Sequence, residues 1–454
     1  MKPSSVIELV RDQLWPAYES ERDRLRVVDK WYRWDHPHHH TPRNATPELK
    51  KLIELSRTPW LGLVVNVISQ TMVADGYRSP DEKANASAWR TWQSNKFDAR
   101  QIPIHKAALA YGYAFATALP GTAEDGTPAA AMRGVSPLAM QAVYADPAED
   151  DWPMFALRVI TQPRGKVALR VYDETSVYFL AGDNGGPFEF IEERRHDAGV
   201  CPVVRYANQL DLDGRTPGEV EPFISIAARI NKTDYDRMLT QHFSSWKVRY
   251  AAGLAKPSDA DEAAAEKLRL RQDDLLIAED PDTRFGTLDA TPLDGFIAAH
   301  ATDIETLAAV TQTPTNALTG QMVNLSAEAL ASARAQLDQK VNERKLAFGE
   351  SHAQLLRLAA HLEGDDAAAT DVASRITWQD MSIRSMAQAV DALGKAAQML
   401  GIPVQALWPM IPGVTRSDVE EWRKLAAQGD PLATLGTLLE RQAAGANAAP
   451  PAAA

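Results

Sequence analysis

LTGQMVNLSAEALASARAQLDQKVNERKLAFGESHAQLLRLA, residues 318–359, decides how this chain is read. Its opening has no repeat. From Leu330 onward, Leu337, Val341, Phe348, His352, Leu355, Ala359 and then Leu362 recur at three-, four- and seven-residue steps. Such steps put apolar side chains on one stripe of an α-helix. Asn324 or Ser326 is the expected cap, and Glu328 in the first turn suits the positive helix end. At 1.5 Å per residue the helix would be about 55 Å long. Gly349 is its candidate kink. The preceding stretch TQTPTNALTGQMVNLS, residues 311–326, carries Pro314 and Gly320 among small polar residues and is expected to be a loop.

Working upstream, Phe223, Ile226, Ile230, Met238 and Phe243 sit near helical repeats behind Glu221-Pro222, predicting a helix that runs to about Trp246. A second helix is expected over 293–311. Residues 247–292 between them read as short, mixed and acidic, with an Ala/Glu/Lys/Arg helix over 261–271 and strand-like LLIAED. From Val135 to Val204 apolar and polar residues alternate as in strands, with Asp183-Asn184-Gly185-Gly186 as a turn. This predicts an antiparallel β segment. Residues 1–35 are expected to be helical, with Val6, Leu9, Val10, Leu14, Leu25 and Val28 at helical spacing. Residues 47–118 are read as two or three helices, the last over 104–118. Downstream, Pro403, Pro409, Pro412 and Pro431 cut 376–443 into short helices, and the alanine-proline tail 444–454 is expected to be flexible. The fold class is therefore α+β, mainly helical.

The chain has 454 residues, which predicts more than one core. Its net charge of −12 excludes a protein that grips nucleic acid along a broad basic face, since phosphate contacts need clustered cations. A single cysteine, Cys201, excludes an intramolecular disulfide. The N-terminus lacks a signal-peptide core, and the most apolar run, 60–68, is too short to span a membrane.

Catalytic signatures are missing. Gly121 and Gly126 have phosphate-loop spacing, but no lysine follows. Cys201 near His196 is read as a buried apolar residue rather than a nucleophile. Asp211, Asp213 and Gly214 form half a calcium loop without its closing glutamate, so an acidic turn is expected. His36 and His38–His40 lack carboxylate or cysteine companions and are read as a polar loop. Trp31-Tyr32-Arg33-Trp34 is expected in a core or a subunit interface, and Arg384 in a salt bridge. No catalytic residue, cofactor or metal ligand is assigned, and an enzyme is not expected.

The order of segments carries more. HDAGVCPVVRYANQLDLDGRTPGEVEPFISIAARINKTDYDRM (196–238), the opening stretch at 318–359 and ITWQDMSIRSMAQAVDALGKAAQMLGIP (376–403) resemble the portal proteins of tailed bacteriophages, the SPP1 Gp6-like family. The likeness runs through most of the chain from about residue 50. The resemblance implies a wing, stem, clip and crown architecture. Residues 1–218 and 326–380 would be wing, the latter including the long kinked helix. Residues 219–246 and 293–311 would be stem helices, 247–292 the clip, 312–325 a tunnel loop and 381–443 the crown.

It further implies a homo-oligomeric ring, usually of twelve copies, at one capsid vertex of the virion, assembled in the host cytoplasm. Double-stranded DNA would pass through without sequence specificity. The implied partners are the terminase large subunit, the head–tail adaptor and the major capsid and scaffolding proteins, with no membrane. Asn316, Thr319, Gln321 and Asn324 are the tunnel-loop side chains expected to meet DNA. No Lys or Arg lies between Thr311 and Ala333, and a ring of −12 chains repels a duplex, as suits a conduit. Arg229, Lys232 and Arg237 on the first stem helix would face the channel or a neighbouring subunit. The competing readings are another oligomeric head or neck protein, which should lack the helix–clip–helix excursion, and a soluble enzyme, which would need a convergent polar site.

Overall fold

The computed structural model describes residues 1–36, 46–80, 82–123, 126–244, 249–252, 284–287, 291–321, 327–379, 386–411, 414 and 416–429. Outside them lie His38–His40, Trp246, the expected helix over 261–271, LLIAED, Asn324, Ser326, Arg384, Pro412, Pro431 and the tail 444–454. The chain forms two compact units. One comprises Met1–Asp29, Gly62–Pro222 and Leu325–Ala454, and the other Lys30–Leu61 and Phe223–Asn324. Helices and antiparallel sheets together give the α+β class.

The first unit opens with α1 (Pro3–Leu9), a π-helical turn (Val10–Leu14) and α2 (Trp15–Tyr32), whose last residues pass into the second unit. Pro16 explains the wide turn. It has no N–H for the carbonyl four residues back, and its ring crowds that carbonyl, so the helix loosens just before it. Val6, Val10, Leu14, Trp15 and Tyr18 pack on Leu157, Val159, Val167, Leu169, Val171, Tyr178 and Leu180. Those partners belong to a five-stranded antiparallel sheet of β4 (Met140–Val143), β5 (Phe155–Thr161), β6 (Lys166–Tyr172), β7 (Ser176–Asp183) and β8 (Phe188–Arg195), paired in sequence order. The expected turn at Asp183–Gly186 joins β7 to β8, with Gly185 at φ +80°.

A second core of this unit surrounds a three-stranded sheet in the order β3 (Pro128–Val135), β2 (Tyr113–Thr122) and β9 (Val203–Ala207). Here one expectation fails. Residues 113–118 are a strand, not the end of a helix. β2 is the central strand and Tyr113 to Ala118 are all buried, so both faces are apolar and the alternation that marks a half-buried strand is missing. Residues 47–112 also hold more than helices. α3 (Pro47–Leu55), α4 (Trp60–Ser69), α5 (Glu82–Ser94) and α6 (Phe97–Tyr111) are interrupted by β1 (Ala74–Arg78).

β1 pairs with β12 (Arg375–Trp378), about 300 residues later. Between β9 and β12 in this unit lie α10 (Ala327–Glu363) and the short α11 (Asp366–Ala369). α10 is helical throughout its 37 residues. Its stripe residues Leu337, Val341, Phe348, His352, Leu355 and Ala359 are buried. Gly349 leaves room for the Trp378 indole, whose Nε1 would lie 3.5 Å from an added Cβ. The C-terminal part forms α12 (Met386–Leu400), α13 (Val404–Leu407), a 3-10 turn at Trp408–Met410 and α14 (Arg416–Gly429).

In the second unit, α7 (Ile224–Ser244) packs on α3 and on α8 (Asp294–Thr311). α7 and α8 fall where the two helices were expected. Between them, β10 (Arg249–Ala252) pairs antiparallel with β11 (Arg284–Thr287). The one-turn α9 (Thr315–Thr319) packs back on α8. Trp31 is buried and stacks on His36 at 3.9 Å, while Trp34 is about half exposed at φ +64°.

Candidate functional site

The segment marked out by the sequence is 312–325, of which residues 312–321 are described. Gln312, at φ +54°, ends α8 in the left-handed region. Thr313 N–H then donates to the Ala308 carbonyl at 2.9 Å. The structure corrects the expectation of an irregular loop, because residues 315–319 form the single turn α9. Pro314 supplies a fixed φ at its start, and Gly320 closes it at φ +67°, donating to the Asn316 carbonyl at 3.0 Å. One turn is too short to leave a periodicity in the sequence.

The turn is anchored on one side and open on the other. Thr311, Thr313 and Leu318 are buried, and the Thr311 hydroxyl donates to the Leu307 carbonyl at 2.7 Å. Thr315, Thr319 and Gln321 are exposed, and Asn316 is half-buried. Asn324 lies outside the described residues. The Thr319 hydroxyl donates to the Thr315 carbonyl at 3.0 Å and accepts from the Gln321 N–H at 3.3 Å. Thr319 is thereby engaged within the turn, leaving the Gln321 amide as its more available polar group. Neutral groups of this kind can touch a phosphate backbone without holding it or reading sequence.

The three cations expected on the first of the paired helices are all engaged. Arg229 Nε lies 2.8 Å from Asp303, Arg237 lies 3.1 Å from Asp234, and Lys232 pairs with Asp236. Asp303 and Asp234 also meet Thr233 and His300, each at 3.3 Å. Lys232 and Arg237 pair within α7 at four- and three-residue spacing, whereas the partner of Arg229 was hidden, because Asp303 stands on α8, 74 residues away in sequence.

Another cluster missed by sequence reading lies in the first unit. Glu219 is buried and accepts from Lys340 Nζ at 2.5 Å, from Arg344 at 3.2 Å and from the Asn208 amide at 3.2 Å. Its own N–H donates to the Leu109 carbonyl at 2.7 Å. Burial pushes the Lys340 ammonium below its usual range, opposed by Glu219. The cluster ties the segment that leads into α7 to the long helix α10. Close by, Gly112 caps α6 at φ +97°, and an added Cβ would lie 1.9 Å from the Thr216 carbonyl oxygen. Only glycine allows that crossing.

The remaining sequence candidates behave as structural groups. Cys201 is buried, and burial pushes its thiol up, away from thiolate chemistry. Asp211 accepts from the N–H groups of Asp213 and Arg215 and pairs with the Arg215 guanidinium at 2.9 Å, an acidic turn rather than a calcium loop. Among the described residues, no group of three or more His, Cys, Asp or Glu stands together as a metal site would require. No described helix is long and apolar enough to cross a membrane.

Residues 11–431 match the family described as "Phage portal protein, SPP1 Gp6-like". The chain belongs to that family. It is also similar to the portal protein of Mycobacterium phage D29, 25% identical over 406 residues, covering 85% of this chain and 81% of that protein. The portal protein of Mycobacterium phage L5 is 25% identical over 410 residues, with the same coverages. Portal family members are structural components of the phage particle and not typically enzymes. For a portal family chain, 312–321 is a segment whose exposed polar groups are neutral, next to a helix pair whose three expected cations are already matched by acids.

Proposed function

We propose that this chain forms the portal ring at one vertex of a phage capsid, through which double-stranded DNA is packaged and ejected. Twelve copies close the ring, with 219–246 and 293–311 as stem and 312–325 lining the tunnel. Residues 1–218 and 326–380 form the wing and 381–443 the crown. Residues 247–292 are the clip, which meets the terminase large subunit during packaging and the head–tail adaptor afterwards. The major capsid and scaffolding proteins surround the wing. Assembly takes place in the host cytoplasm.

The observation that carries this reading is the order of α7, a returning α8, the single turn α9 and the 37-residue α10, in a chain of the portal family. An adaptor has no use for that excursion. The acidic balance fits a conduit, where each held phosphate would slow passage. Particle mass by light scattering, together with class averages of the purified protein, tests the reading. A ring with a central hole is expected. A stable monomer at micromolar concentration would overturn it.

A further inference from the structure

One concavity of the first unit is unlike the rest of this acidic chain. It encloses about 290 Å³ between α2 and the five-stranded sheet. Tyr18, Arg22, Arg26 and Asp29, spaced by four, four and three residues, bring one face of α2 to it. Leu138, Val159 and Val167 supply apolar wall, and Lys166 with Asn184 stands on the opposite side.

Three cations and one carboxylate line this space. Their present partners satisfy them unevenly. Lys166 is paired with Asp183 at 2.8 Å. Arg26 reaches Asp23 only at 3.5 Å. Arg22 reaches Glu19 at 3.5 Å and Asp23 at 3.4 Å, both through the same terminal nitrogen. Its Nε is buried and has no hydrogen-bond partner. Its guanidinium also lies over the Tyr18 ring, 5.4 Å from the centroid, so a carboxylate entering the cavity would meet it at the terminal nitrogen that now makes these long contacts, with a charge-assisted bond. Asp29 is itself held, accepting from the Tyr111 hydroxyl at 2.5 Å.

We propose that this cavity binds the side-chain carboxylate of a glutamate presented by an acidic polypeptide segment. The carboxylate meets Arg22 and Arg26, and its methylenes lie on Tyr18, Leu138, Val159 and Val167. Asp29 in the wall disfavours a dianionic phosphate, and a duplex is too broad to enter a space of this size. A single flexible side chain fits both the volume and the mixed wall. The cavity lies wholly within one unit and needs no second copy to be complete.

Fluorescence anisotropy of a labelled eight-residue Ala/Glu peptide with the full chain, at low salt, tests this. The Ala/Gln peptide is the control, and unlabelled glutarate and inorganic phosphate are competitors. Binding of the Glu peptide at least ten times tighter than the Gln peptide is expected, with loss of at least tenfold in R22Q/R26Q. K166Q, on a different element, should weaken it in the same direction, so a folding defect in the α2 variant does not decide the outcome. Circular dichroism confirms that each variant is folded. Equal binding of the two peptides overturns the proposal. So does binding unchanged in R22Q/R26Q, or competition by phosphate at lower concentration than glutarate. Glutarate displacing the peptide at equal or lower concentration would mark a small-molecule site and overturn the polypeptide assignment.

Discussion

His105 and His352 face each other through their Nε2 atoms at 2.8 Å, both rings fully buried. The Tyr206 hydroxyl lies 2.8 Å from His352 Nδ1, and His105 Nδ1 lies 3.2 Å from the Met72 carbonyl. A carbonyl can only accept, so His105 carries its proton on Nδ1 and accepts at Nε2. His352 therefore donates from Nε2 and accepts the tyrosine proton at Nδ1. Every group is satisfied only while both rings are neutral.

Burial holds His105 down at about 4 and His352 well below the usual histidine range, the latter also through its neighbour. An unfolded chain takes up these protons near pH 6.5. The unfolded state thus binds more protons between about pH 6.5 and 4, and stability falls as pH drops through that window. Urea midpoints at pH 7.5 and 5.0 should show the loss. H105Q/H352Q should flatten the slope, and an unchanged slope would exclude the pair as its source.

Glu219→Gln should be among the more damaging surface-remote substitutions. It leaves Lys340 and Arg344 buried without their shared counter-charge, a loss of about 3–5 kcal/mol for a broken buried pair. Lys340→Met, which removes one cation and keeps the Glu219–Arg344 pair, should cost less. Chemical denaturation of both variants gives the comparison, and the reverse order would mean the cluster is not held by Glu219.

Gly112→Ala should be worse than the loss of any single surface ion pair. A side chain there meets both the left-handed backbone and the Thr216 carbonyl, and the combined cost is more than about 3 kcal/mol. Thermal melting or soluble yield reports it. A wild-type melting temperature would show that the 216–218 segment can move away.

On the portal reading, Thr319→Lys with Gln321→Lys should turn a neutral tunnel segment into a salt-sensitive brake. Ring symmetry multiplies each new phosphate contact. Packaging or ejection should slow at low salt and return towards the normal rate at high salt. Assembled rings with unchanged low-salt rates would place α9 away from the DNA path.

The long helix was legible because its buried stripe is one-sided, and His352 already stood on that stripe. What His352 does there was not legible, since its partners are 146 and 247 residues away in sequence. Glu219 was hidden for the same reason, being 121 residues from Lys340. β2 was misread because a strand buried on both faces, rich in alanine, has no period of two. α9 was missed because Pro314 and Gly320, which flank the five residues of a single turn, read as breakers when they are its two ends. The segments' order suggested the family before any residue role could be assigned.

The π-turn at Val10–Leu14 acts as a phase correction. Val6, Val10, Leu14 and Tyr18 are spaced by four, and in a regular helix each such step drifts about 40° around the axis. The wider turn takes up part of that drift, so the residues before and after it face the same sheet. The consequence is a bias in which length changes the N-terminus tolerates. Removing one residue between Val10 and Leu14 would let the turn close with ordinary winding and leave Val6 near its present phase, whereas removing one from the regular winding between Val6 and Val10 would swing the residues before it by about 100° and carry Val6 off the sheet.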